Sequence, residues 1–321
     1  MKTRSAAVAN DPIVEEAVQD YLLGGGSALG AVLCGFFTAA GAHAGVLLGP
    51  VGILVAGLGQ GARAFDGRLR QPGLGTKRPR GFQQDEEIPD AARVAVPASV
   101  AAAVVAHAYD PSQKLNTLMK PGISRAERGG AEGRASLLRR IRSVGAQAMN
   151  EPMFVRPMLR GAGPSQGGLL TPSDFGAIPD IDREAAEAST GSERVLTAPW
   201  AEEPLPEGYL QNIGIGSAVI AIDVRGTCAA LCYRRTVDGF PLEDLELEAP
   251  LGAIPVERGI TRVAPGARLP APAPIAIVVD ASNAPIEVVA APLAERLEGI
   301  DAAPLRLRRR ASTQEIDVVR A

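Results

Sequence analysis

The sequence predicts an α+β layered domain. Up to Gly208 the pattern is helical or mixed, and after it the period changes and the chain becomes rich in strands, so strands follow helices rather than interleave with them. Hydrophobic residues make up 46% of the chain but aromatics only 4%, so the core must be built from Ala, Val, Leu and Ile. At 321 residues the length allows one large domain or two ordinary ones. No internal repeat divides the chain, and it reads as a single integrated domain.

Residues 1–10 are expected to be a disordered lead. Asp11 to Val32 (DPIVEEAVQDYLLGGGSALGAV) has a polar start, a break at Gly24-Gly25-Gly26 and a second apolar run, which predicts two packed helices over 11–44. Residues 45–72 predict a strand pair, with VGILVAGL (Val51–Leu58) as its first strand and FDGRLRQP as its end. Gly73–Asp90 is rich in Gly, Pro and charge and predicts an exposed loop. Pro97 opens a helix over Val96–Tyr109, and Leu115–Gly129 and Glu132–Met149 predict two more. Gly161–Gly168 predicts a loop, Leu169–Asp182 leads into a polar segment, and Ala198–Gly208 is a proline-rich linker. Ser217–Asp223 and Thr227–Tyr233 flank Val224-Arg225-Gly226 as a hairpin. Ile275–Asp280 and Ile286–Ala291 make a second one. The basic run Arg306–Arg310 falls in a solvated C-terminal tail, 301–321.

Composition excludes several function classes. A net charge of −3 and a pI near 5.6 give no basic face for nucleic acid. Cys34, Cys228 and Cys232 form no disulfide framework, and the spacing of the last two is too wide for a C-x-x-C knuckle. They are expected to be small buried apolar residues. With only His43 and His107, no His-rich metal site is expected, and His107 sits in an Ala/Val helix as a packed or capping residue. Gly24–Gly30 is glycine-rich but does not follow a strand, so no dinucleotide site follows. No cofactor and no metal are expected. Tyr21 to Ala62 carries no charged side chain. Its many glycines, with Ser27, Thr38 and His43, favour a buried helix and strand over a membrane hairpin. The start MKTRSAAVANDPIVEE turns acidic before any apolar run, so no signal peptide is read and a cytoplasmic location is expected.

Several segments, in order, resemble γ-glutamyltranspeptidases. Pro12, Glu16, Ala17, Leu22, Gly25, Gly26, Ala28 and Ala31 fit the family's P-L-A-x-x-A-G-x-x-I-L-x-x-G-G-N-A-x-D-A-A pattern without a gap. Ser27 stands in place of its Asn and Gly30 in place of its Asp. Asp66-Gly67-Arg68 with Pro72 resembles D-G-R-E-x-A-P, and Val96-Pro97-Ala98 resembles the V-P-G helix start. Pro121–Gly129 resembles P-A-I-x-x-A-E-x-G. Gly167–Thr171 with Asp174-Phe175 resembles G-G-x-L-T-x-x-D-L, and Pro265–Arg268 resembles P-G-K-R. The resemblance implies the αββα sandwich of N-terminal nucleophile hydrolases. Those enzymes cut their own chain to expose a Thr, Ser or Cys whose amine serves as base. It implies a large-subunit-like portion, 11–215, shortened mainly between Asp182 and Gly208, and a small-subunit-like portion, 216–300.

The resemblance also shows what has changed. Anchoring T-T-H-x-S-V-V-D-x-x-G on Asp223 and Gly226 puts the nucleophile's position at Gly216, the second Thr at Ser217 and the His at Ala218. The S-S-M segment falls at Ala271-Pro272-Ala273, and the oxyanion-hole glycines fall at Leu293 and Ala294. The N-N-x-M-D-D segment has no counterpart near Leu251–Gly259. Arg68 matches the arginine that pairs with the substrate carboxylate in the family. The leading expectation is a pseudoenzyme, tied to glutathione metabolism by resemblance alone, that binds a ligand or partners a second copy or another chain of the family. The runner-up is a γ-glutamyl transferase or amidohydrolase that cleaves itself at Gly216-Ser217 and uses Ser217 as nucleophile.

Overall fold

The computed structural model describes residues 4–76, 81–83, 86–176, 178, 180–206, 208–258, 262–291, 304–310 and 312–320. In chain order the first elements are β1 (Ala6–Ala9), α1 (Pro12–Leu23), α2 (Ala28–Ala42), β2 (Val51–Ala56) and β3 (Arg63–Gly67). A helical middle follows: α3 (Ser99–His107), α4 (Leu115–Arg128), α5 (Glu132–Val144) and α6 (Pro152–Ala162). Then come β4 (Asp182–Glu184), β5 (Ala186–Thr190), β6 (Glu193–Thr197) and a short α7 (Tyr209–Ile213). The rest is β7 (Ile215–Ile222), β8 (Cys228–Arg235), β9 (Phe240–Leu242), β10 (Leu247–Ala249), β11 (Ile275–Val279), β12 (Pro285–Ala290), β13 (Leu305–Arg309) and β14 (Ile316–Arg320). Two six-stranded sheets result, ordered β1-β7-β8-β2-β3-β4 and β14-β13-β12-β11-β6-β5, beside a β10-β9 ribbon.

Strand parity sorts side chains into layers. On β7, Val219 and Ala221 join Ile53, Val55, Leu231 and Tyr233 in a core shared with the helices. The alternate residues Ala218, Ile220 and Ile222 join Leu54 and Ala230 against Ile275, Ile277, Val288, Leu305 and Leu307 of the second sheet. Both faces of β2, β7 and β8 are therefore buried, which is why these strands read as continuous apolar runs. Helices α1 to α6 bury side chains in the first core, on the outer side of the first sheet. This is the expected α+β sandwich, with two β layers face to face.

Local signals set the first helices. Asp11 caps α1 by accepting from the Ile13 N–H at 2.9 Å, and Ser27 caps α2 by accepting from the Gly30 N–H at 3.0 Å. The glycine break makes room for Tyr21, because a Cβ on Gly26 or Gly30 would fall 2.1 or 2.3 Å from that side chain. Helix α2 is buried from Ala28 to Gly41, pressed between the first sheet and α4. Its close approach to α4 needs glycine on both sides. A Cβ on Gly41 would lie 1.9 Å from the Gly122 carbonyl oxygen, and one on Gly122 would lie 2.0 Å from that of Phe37. The uncharged run is thus a core helix and a core strand. Among the described residues no helix is long and apolar enough to cross a membrane.

Several expectations are corrected. The lead 1–10 contains β1, an edge strand that pairs Ala6–Ala9 with Val219–Ile222. Four small residues are too short a run to announce a strand, and pairing to β7 supplies the rest. The tail 301–321 contains β13 and β14. The basic run is an alternating strand in which Leu305 and Leu307 face the inter-sheet core while Arg306 and Arg308 project outward to ion-pair with Glu287. The polar segment and linker hold the hairpin β5–β6 and the buried Trp200. Helix α6 was not anticipated, since Pro152 and Pro157 argue against it; Pro152 opens its first turn. Within the Gly73–Asp90 loop, Phe82 is fully buried and bridges to Glu257.

Candidate functional site

Strand β7 begins at the rim of the first sheet, where Gly216 pairs with Arg234 and Ser217 with Tyr233. Gly216, Ser217, Arg68, Tyr233, Ala271 and Pro272 line one small pocket there, of about 20 Å³. That is room for about one water molecule. Residues far apart in sequence and singled out separately, Gly216, Ser217, Arg68 and Ala271-Pro272, are therefore brought together. Leu293 and Ala294 lie outside the described residues.

Parity decides what Ser217 can do. Residues opposite each other in an antiparallel pair share a face. Ser217 shares its face with Tyr233, which belongs to the helical core and meets Phe36 edge-on at 6.5 Å. Gly216 lies on the other face, that of Ala218, toward the second sheet. Ser217 is 1% exposed, and its Oγ has no partner at hydrogen-bonding geometry, although the Tyr233 hydroxyl is near enough to interact. Burial raises the Tyr233 hydroxyl above its ordinary value of 10, with Ser217 pulling the other way. Among the described residues no base is hydrogen-bonded to the Ser217 hydroxyl. The two imidazoles are engaged elsewhere: His43 Nε2 lies 2.7 Å from Asp11 Oδ2, and His107 Nε2 is bonded to the Gln113 carbonyl. The His43–Asp11 contact ties the C-terminus of α2 to the N-terminus of α1. Burial would raise the Asp11 carboxyl, but His43 and the N–H groups of Ile13 and Val14 outweigh it and hold the group below its ordinary value of 3.8.

Arg68 is 7% exposed and already committed. Its Nε and Nη2 donate to Asp66 Oδ1 and Oδ2 at 3.0 and 2.9 Å, a two-point pair with a fully buried carboxylate. Nη1 donates to Glu203, and the guanidinium lies 5.2 Å from the centre of the Trp200 ring. Arg268 Nε comes within 3.6 Å of Asp66 from the other side. Burial disfavours the Arg68 cation, yet Asp66 and Glu203 more than offset it and hold its pKa above the ordinary value. The position that the resemblance assigns to a substrate carboxylate is thus filled by two carboxylates of the chain itself. Trp200 and Glu203 were missed because the proline-rich segment reads as a linker. The chain's one tryptophan was the available signal, since so large an apolar side chain seldom stays in solvent.

Among the described residues no group of three or more His, Cys, Asp or Glu side chains could hold a metal ion. The three cysteines are free and buried, and burial pushes each thiol up to about 12, which leaves them unreactive near neutrality.

No protein-family model matches the sequence, and no curated protein matches it. Solved structures do match. Two structures of LmbA2991 superpose with TM-scores of 0.72 and 0.71 at 12% identity, covering 99% of this chain and 96% of theirs. A cephalosporin acylase from Bacillus halodurans gives 0.70 at 12% identity, over 90% of this chain and 77% of its own. A γ-glutamyltranspeptidase from Pseudomonas nitroreducens is matched at 0.49 and 20% identity, over 60% of this chain and 70% of that one. The first three likenesses are likenesses of fold. The chain has the two-sheet α+β sandwich of these proteins, the fold implied by the resemblance of its motifs to γ-glutamyltranspeptidases.

Proposed function

We propose that this chain is a γ-glutamyltranspeptidase-like protein with a degenerate active site, acting as a non-catalytic binding protein or as the partner of a second copy or related chain. One observation carries the reading. The position aligned with the nucleophile is Gly216, and the adjacent hydroxyl, Ser217, faces the helical core instead of the space between the sheets. A one-residue offset on a strand reverses the side chain, so Ser217 does not stand in for the missing residue. The committed Arg68 and a pocket of about 20 Å³ agree with it. The second reading, self-cleavage at Gly216-Ser217 with Ser217 as nucleophile, has one feature in its favour: the buried Oγ makes no well-formed hydrogen bond, with only the Tyr233 hydroxyl near it.

Intact mass after prolonged incubation tests both readings. The expected result is one species at the full 33.2 kDa and no turnover of a chromogenic γ-glutamyl anilide. Loss of a nucleophile alone removes about four to six orders of magnitude of rate. A new N-terminus at Ser217, with turnover that vanishes in Ser217→Ala, would establish the second reading and end the first.

A further inference from the structure

A second cavity, of about 300 Å³, lies away from Gly216, on the helical side of the first sheet. Much of its wall is apolar: Val96 before α3, Val100 in it, Met149, and Phe154 and Phe175, whose rings meet edge-on at 5.9 Å, with Gln147 and Asn150 as neutral polar lining. Its polar end is Arg70, which is 5% exposed. A guanidinium buried to this degree normally has a carboxylate partner. Among the described residues none is bonded to Arg70. Its Nη2 donates to the main-chain carbonyl of Asp174 at 2.9 Å, and its Nε is buried with no hydrogen bond.

The Asp174 carboxylate attracts Arg70 through space but does not bond to it. It already accepts from the N–H groups of Gly73, Leu74 and Thr171 at 2.7 to 3.1 Å and from the Thr171 hydroxyl at 3.2 Å. Burial lowers the Arg70 pKa, the neighbouring Arg268 cation lowers it further, and the attraction of the Asp174 carboxylate offsets only part of this. The cavity thus joins a largely apolar chamber to a buried cation that has no carboxylate bonded to it. Ligand sites are built this way, with mostly apolar walls and a few convergent polar groups.

We propose that this cavity binds an organic carboxylate with a compact apolar body, the carboxylate seated on Arg70 and the body against Val100, Phe154 and Phe175. The volume is worth roughly ten waters at about 30 Å³ each, so a ligand of roughly ten non-hydrogen atoms fills it. The site shares no residue with the Gly216 pocket and does not depend on whether that pocket is catalytic.

Octanoate, its neutral analogue octanol and inorganic phosphate serve as probes, titrated into the full chain by calorimetry. Octanoate is expected to bind and to raise the melting temperature. Octanol, phosphate and the Arg70→Met variant with octanoate are each expected to bind weaker by about tenfold or more. Removing an unpaired buried charge is not expected to unfold the protein. Ala101→Phe, which keeps Arg70 and fills the chamber, should abolish binding while the variant stays folded. The proposal is overturned if octanoate gives no heat at millimolar concentration, or if octanol or phosphate binds as tightly. Binding that survives in Arg70→Met or in folded Ala101→Phe overturns it equally.

Discussion

Arg68 is where the pull between structure and ligand binding is sharpest. The same guanidinium that resembles a substrate-binding arginine neutralises Asp66, a carboxylate with no exposed surface. Breaking a buried ion pair by removing one partner costs about 3 to 5 kcal/mol, because the remaining charge stays desolvated. Arg268, 3.6 Å from Asp66, covers part of the loss. Arg68→Met should therefore destabilise the fold by about 3 kcal/mol, read as a lower denaturant midpoint at unchanged slope. A change under about 1 kcal/mol would mean that Arg68 is held loosely enough to serve a ligand instead. Arg68 itself was legible from D-G-R. Its partner Glu203 was not, because nothing local links a proline-rich stretch to a strand end more than a hundred residues earlier.

Helix α2 shows how much of an element can be read and where reading stops. Its N-cap Ser27, the glycine break before it and its freedom from charge all sit in the sequence between Gly24 and Ala42. What the sequence does not reveal is the crossing with α4, where Gly41 faces Gly122 beside Pro121. Gly122→Ala would gain about 1 kcal/mol of helix propensity, but its Cβ would meet the Phe37 main chain, which cannot rotate away. Overpacking costs about 1 to 3 kcal/mol or more, so the variant should be net destabilised, measured by thermal melting. A rise in melting temperature would show that the two helices can separate freely. Among the elements that escaped prediction, β1 is four small residues that become a strand only by hydrogen bonding to β7, far along the chain. Strands β5, β6, β13 and β14 interleave apolar with charged or small residues, so their runs are short and their place in the second sheet comes from β11 and β12. Strands β2, β7 and β8, buried on both faces, announced themselves.

The molecule closes around two β layers, and its last residues belong to that closure. Leu305, Leu307 and Ile316 fill the inter-sheet core, each contributing about 1.5 to 3 kcal/mol. A chain ending after Ala291 should lose cooperative melting, because about 5 to 9 kcal/mol is comparable with the whole stability of an ordinary domain. A truncated chain that melts as sharply as the parent would show that β13 and β14 are dispensable. On the outer face of the second sheet the half-exposed Arg306 and Arg308 meet the buried Glu287. At the other margin β1 lies beside the end of β14, and Arg320 is ion-paired with Glu15 of α1. The two ends of the described chain therefore meet, the condition for circular permutation. Joining Arg320 to Ser5 through a short linker and opening the chain before Gly216 would place a free α-amine at the mouth of β7 without any self-cleavage. Gly216→Thr in that permuted chain would then set a hydroxyl beside an amine in the surviving pocket, separating a lost nucleophile from lost surroundings as the reason for silence.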